Sequence, residues 1–130
     1  MRRFILLLAF LGVADAAYAK DVYLYDLLKD PVHAQSWKTM LSSAKQASAW
    51  VRDENRFIAE PVKTISAGST DYSLSIIAEQ HATNDGQAAI LFTMDGTQAW
   101  AEIQEEGSQN RYLGNPSAAQ KNALDKALAE

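Results

Sequence analysis

The clearest alternation of apolar and polar positions lies mid-chain. Tyr72, Leu74, Ile76 and Ala78 alternate with Ser73 and Ser75, the period-two pattern of a half-buried strand. Ala88 to Met94 is nearly continuous in Ile, Leu, Phe and Met, which predicts a central strand covered on both faces. Between them runs Glu79-Gln80-His81-Ala82-Thr83-Asn84-Asp85-Gly86, too long for a two-residue hairpin. Within it, Asn84-Asp85-Gly86 tolerates positive φ and is expected to close the turn. Asp95-Gly96 predicts a second, tight hairpin. Thr97 to Glu105 then alternates, with Ala99, Ala101 and Ile103 on one side and Gln98, Trp100, Glu102 and Gln104 on the other. Pro61 to Ser66 reads as a first strand and Arg111-Tyr112-Leu113 as a short edge strand.

Helical spacing flanks these strands. Asp30-Pro31 is a cap-and-proline start, and Trp37, Met40, Leu41 and Ala44 give one apolar face, fading near Ala47. Asn115-Pro116 reads as a second such start, before Ala119, Ala123, Leu124, Ala127 and Leu128. Ahead of both, Tyr23, Leu24, Leu27 and Leu28 pack either as one helical turn or as an extended arm. Ala49-Trp50-Val51 is a small apolar cluster expected in the core. The sum is a single α+β domain over residues 20–130: an antiparallel β-sheet of about five strands with helices packed against one face.

The first residues follow a different pattern. Arg2 and Arg3 precede an apolar run from Phe4 to Val13, and Ala17-Tyr18-Ala19 fits a small-x-small cleavage site. Residues 1–19 are therefore expected to be a secretory signal peptide, too short in its apolar run to span a bilayer. Without them the chain keeps 10 Lys/Arg against 15 Asp/Glu, a formal charge near −5. An acidic chain argues against nucleic acid as partner and favours attraction to a basic one. There are no cysteines, which excludes thiolate chemistry, cysteine-zinc sites and disulfides.

Candidate chemistry is sparse. Two histidines without ligand spacing do not make a metal site, and neither a Gly-rich phosphate loop nor a Gly-x-Ser-x-Gly elbow is present. No metal and no cofactor is expected. The densest carboxylate group, Glu102, Glu105 and Glu106, reads first as a solvated strand end and second as an acid/base pair. His33, in the first helical turn, reads as surface filler. His81 sits on the long turn, and loops on rigid scaffolds are where binding groups concentrate. Trp100 reads equally as core or as an exposed anchor for a partner.

Taken in order, these pieces resemble the family called inhibitor of vertebrate lysozyme. The helix with Trp37 and Leu41, followed by Ala49-Trp50-Val51, is similar to that family's helix and Leu-Pro-x-Trp-Val segment. Tyr72 to Phe92 resembles its strand, loop and strand, and Tyr112-Leu113-Gly114-Asn115-Pro116 its closing aromatic-x-Gly-x-Pro stretch. The family's hallmark loop reads Cys-Lys-Pro-His-Asp-Cys; here the matching stretch is Ala78-Glu79-Gln80-His81-Ala82-Thr83, and only the histidine agrees. The resemblance implies a periplasmic, non-enzymatic protein whose loop (Glu79, Gln80, His81, Ala82, Thr83 and Asp85) enters the cleft of a c-type lysozyme; Trp100, from its place on the polar side of the Thr97 to Glu105 strand, is expected as a secondary contact. The resemblance also implies a capacity to form homodimers. A disulfide around about six residues is worth roughly 2 kcal/mol, so its absence is expected to weaken binding by up to about 40-fold. Two other expectations stand beside it: on the same scaffold, regulation of the cell's own lytic transglycosylases; and, from another class, a small envelope binding module that uses Trp100 and its polar neighbours for a small ligand or assembly partner.

Overall fold

The computed structural model describes residues 20–43 and 48–130. The expected signal peptide, Ala44 and the predicted helix end near Ala47 lie outside them. The described chain is α+β: four helices and one antiparallel sheet of six strands. In chain order these are α1 (Leu24–Leu27), α2 (Pro31–Ser42), α3 (Ala49–Arg52), β1 (Phe57–Ala59), β2 (Lys63–Ala67), β3 (Thr70–Glu79), β4 (Gly86–Thr93), β5 (Ala99–Glu105), β6 (Arg111–Leu113) and α4 (Ala118–Ala129). The sheet runs β1-β3-β4-β5-β6, with β2 also paired to β3.

The lead-in resolves as one helical turn, α1, with Leu24 fully buried. The first strand expected from Pro61 to Ser66 forms as β2, and a further short strand, β1, precedes it on the same edge of β3. β1 pairs with Ile77–Glu79 and β2 with Thr70–Leu74. Pro61 sits in the break, where a residue without an N–H cannot continue the ladder.

β4 is covered on both faces, as its continuous apolar run predicts. Ala88, Ile90 and Phe92 join Leu24, Trp37, Met40, Leu41, Trp50 and Val51 in one core cluster. Ala89 and Leu91 face the other way, into a second cluster with Tyr72, Leu74, Leu124 and Ala127. The helices therefore divide: α1, α2 and α3 cover one face and α4 the other, rather than all packing on one face. Alternation along β5 gives the reason, since Trp100 and Glu102 need cover as much as Ala99, Ala101 and Ile103 do.

Two turn assignments shift. β4 and β5 are joined by five residues, Met94 to Gln98, not by a two-residue hairpin. The Asp95 carboxylate accepts from Thr93 Oγ1 and Thr97 Oγ1, each at 2.7 Å, and from Thr97 N at 3.1 Å. These bonds, that of Thr93 foremost, pull its pKa down to about 2. The last helix is capped by Ser117, not Asn115: Ser117 Oγ accepts from Gln120 N, and Gln120 Oε1 accepts from Ser117 N. Gly114 and Asn115 take positive φ, +83° and +58°, and swing the chain away from the sheet before α4 begins.

His33 is not surface filler. Its side chain is 13% exposed, Nδ1 lies 2.5 Å from Asp30 Oδ2, and its ring meets Phe92 edge-on at 5.1 Å. Gly96 makes room for it, since a Cβ there would fall 2.5 Å from His33 Cε1. Ser36 Oγ donates to the Gly96 carbonyl at 2.8 Å, fixing α2 to the β4–β5 turn.

Candidate functional site

The loop Gln80–Asp85 projects from the end of the sheet where β3 passes to β4. Its backbone forms two consecutive turns. Ala82 N donates to the Glu79 carbonyl at 3.1 Å, and Asp85 N to the Ala82 carbonyl at 2.9 Å. Both flanks are tied to neighbours: Gln80 N donates to Arg56 O ahead of β1, and Glu106 N to Asp85 O after β5. Gln87 Nε2 donates to Thr83 O at 3.2 Å, a side-chain staple across the loop. Ala78 and Thr83, which stand where the resemblance puts cysteines, are not ladder partners, because Ala78 pairs with Gln87.

His81 lies in the first turn with φ +65°, in the left-handed region that non-glycine residues rarely adopt. The sequence places positive φ on Asn84-Asp85-Gly86, yet none of those three has it; His81 takes it instead. Its side chain is exposed and makes no hydrogen bond within the described residues. Ala82 is half-buried, while Gln80, Thr83 and Asp85 are exposed, and half-buried Glu79 ends β3. The structure thus brings Glu79, Gln80, His81, Ala82, Thr83 and Asp85 together on one projection.

Beneath the loop sits a clamp that alternation alone does not reveal. Gly86 pairs with Glu105 across the ladder, and a Cβ on Gly86 would lie 3.0 Å from Trp50 Cζ2 and 3.1 Å from Glu79 Oε1. The Glu105 carboxylate accepts from Ser48 Oγ at 2.6 Å and from Trp50 Nε1 at 3.4 Å, and pairs with Arg111. Helix α3, the edge strand β6 and the loop base therefore meet on one carboxylate. Glu106 lies outside the clamp and shares a hydrogen bond with Asp85; that bond and the like charge raise its pKa. Glu79, Asp85 and Glu106 form an acidic collar around the base of the loop.

The solvated strand end expected of Glu102, Glu105 and Glu106 holds only for exposed Glu106. Glu105 is held in the clamp, and Glu102 is 1% exposed beneath α4. Trp100 does not join the loop. It pairs with Leu91, whereas the loop base pairs at Gly86 and Glu105, about 17 Å further along β5. Half-buried Trp100 meets Tyr72 edge-on at 5.8 Å in the α4-side cluster. Among the described residues no group of three or more His, Asp or Glu side chains is placed to hold a metal ion.

Fold and loop together define a class: a small α+β domain that presents one imidazole on a backbone-locked turn above an acidic collar. No protein-family model matches the chain. It is 24% identical over 92 residues to an uncharacterized protein of Yersinia pestis, a match that takes in 71% of this chain. The match covers 59% of that protein, so the chain spans about three-fifths of its relative's length.

Proposed function

We propose that this protein is an exported, non-enzymatic inhibitor of a basic, c-type lysozyme, and that His81 is its central contact. The observation that carries the reading is the presentation of His81: exposed, without a hydrogen-bond partner among the described residues, and held in a left-handed turn whose flanks are bonded to Arg56, just ahead of β1, and Glu106, just after β5. Lysozyme-type glycosidases work through two carboxyl groups flanking the sugar bond. An imidazole held between such groups hydrogen-bonds to them and excludes sugar and water. Pre-organisation matters here, because a tip already fixed before binding loses less entropy on docking. The clamp at Glu105 and the Gln87 staple supply that fixation without a disulfide.

The acidic collar supports a basic target. Without residues 1–19 the chain has a formal charge near −5, and with Glu79, Asp85 and Glu106 around the loop base it is steered toward a cationic enzyme. The test is to titrate c-type lysozyme with the protein and with His81→Ala. The native protein is expected to inhibit, and the variant to do so at least about 10-fold more weakly, a loss of roughly 1.4 kcal/mol. Equal inhibition by both removes His81 from the mechanism, and no inhibition by either removes the reading.

A further inference from the structure

We infer that the groove between β1 and the last turn of α4 is a second contact for the target, seating a Lys or Arg side chain that stands beside the target's cleft. The inference rests on the lysozyme reading above and adds where else that partner touches. The loop alone makes too small an interface. It offers six residues, Gln80 to Asp85, whereas a stable complex takes about 20–30 residues from each side. The rest of the contact comes from the surface beside the loop. The groove is part of that surface, since exposed Thr83 and Asn84 of the loop line it. Its volume of about 330 Å³ is room for a side chain, not for a folded element. Ile58 pairs with Ala78, on the sheet face that α4 covers, but β1 lies at the sheet edge and Ile58 remains 48% exposed.

The lining selects a basic side chain. Ile58 and half-buried Leu128 offer apolar surface to an aliphatic stem, and Glu60 and Glu130 offer carboxylates to its charged head. The backbone holds Glu60 in place, since its N–H donates to the Ile76 carbonyl at 2.9 Å. Neither carboxylate makes a hydrogen bond or ion pair among the described residues, so neither is already neutralised. Lys63 is the one cation among the described lining residues and is likewise unpaired there, which leaves the groove with a net negative charge. Glu79, Asp85 and Glu106, around the loop base, deepen that field. An acidic side chain would meet two carboxylates, and an uncharged apolar one would gain nothing from them.

The test is calorimetric titration of c-type lysozyme into the whole protein at about 0.15 M salt, where exposed charges more than about 8 Å apart are largely screened. Ile58, Glu60 and Lys63 are exposed, and none of their side chains makes a hydrogen bond or ion pair among the described residues, so substituting them leaves the fold intact. Ile58→Ser is expected to weaken binding about 5-fold and Glu60→Lys at least about 10-fold, while Lys63→Glu strengthens it several-fold. Lys38→Glu makes the same charge change on exposed α2, against the other face of the sheet, and is expected to alter binding less than about 2-fold. A complex weakened by His81→Ala but not by Ile58→Ser or Glu60→Lys overturns the groove and leaves the loop reading standing. Equal strengthening by Lys38→Glu and Lys63→Glu overturns the groove too, since charge would then act from any position. The absence of any complex overturns both readings.

Discussion

Glu102, near the middle of β5, is a carboxyl group placed where a hydrophobic side chain would ordinarily sit. Asn110 Nδ2 donates to Oε2 at 2.8 Å, but Oε1 is buried without a partner in the described residues. Burial, then hydrogen bonding and charge from Asp125 on α4, push its pKa up to about 7, against the lowering effect of Asn110. Asp125 in turn accepts from Tyr112 Oη at 2.5 Å, pushing that phenol up to about 12, and Lys121 lies over the Tyr112 ring. The folded-state value of Glu102 lies above the ordinary 4.5, so the folded protein binds the extra proton. Its contribution to stability is fully present below about pH 4.5 and is lost as pH rises through about 7. Thermal melts are expected to show Tm falling between pH 5 and 8, with Glu102→Gln flattening the slope; an unchanged slope would remove Glu102 as its source. The sequence shows Glu102 on the Trp100 side of β5 but not its burial, because that depends on α4 crossing to this face. His33 was opaque for the same reason: its cover comes from Phe92 and Gly96, some sixty residues away.

Secondary-structure elements were legible wherever the local pattern and the tertiary demand coincide. β3, β4 and β5 follow their periodicity, and α2 starts at the cap that Asp30-Pro31 announces, with Asp30 Oδ2 accepting from His33 N. Boundaries slipped where two signals competed. Asn115-Pro116 has the form of a helix start, but the chain must first leave the sheet edge, so Asn115 takes the left-handed turn and Ser117 becomes the cap. Asp95-Gly96 has the form of a two-residue hairpin, but the three hydrogen bonds to Asp95 build a wider one. Ser117→Ala removes the bond to Gln120 N and loosens Gln120, whose Nε2 also donates to Tyr72 Oη at 3.0 Å. It is expected to cost about 1 kcal/mol in denaturant unfolding. Asn115→Ala, by contrast, should act through backbone strain and not through lost capping.

For the molecule as a whole, the loop Gln80–Asp85 projects from the end of the sheet, with the last turn of α4 (Ala127, Leu128) sharing a groove with Thr83, Asn84 and Gln87. The α3–β6 clamp on Glu105 supports the projection from below. That projection suits the proposed insertion of a tip into another protein. Net charge sets the approach: association with a basic lysozyme is expected to slow as salt rises, because screening shortens the reach of the acidic surface. Stopped-flow rates from 0.01 to 0.5 M salt check this, and a flat profile would argue against steering. The candidate loop was visible in the sequence as a long turn bearing a histidine. Its rigidity was not, because Arg56, Gln87 and Glu106 brace it from three separate strands or their ends.

The two histidines make a direct test of the central claim, since His81 is exposed on the loop and His33 is packed against Phe92. Imidazole Cε1–H resonances, recorded while c-type lysozyme is added, report on each separately. The His81 signal is expected to shift or broaden stoichiometrically and the His33 signal to stay in place. A stable complex that leaves the His81 resonance untouched, or the absence of any complex, would contradict the account.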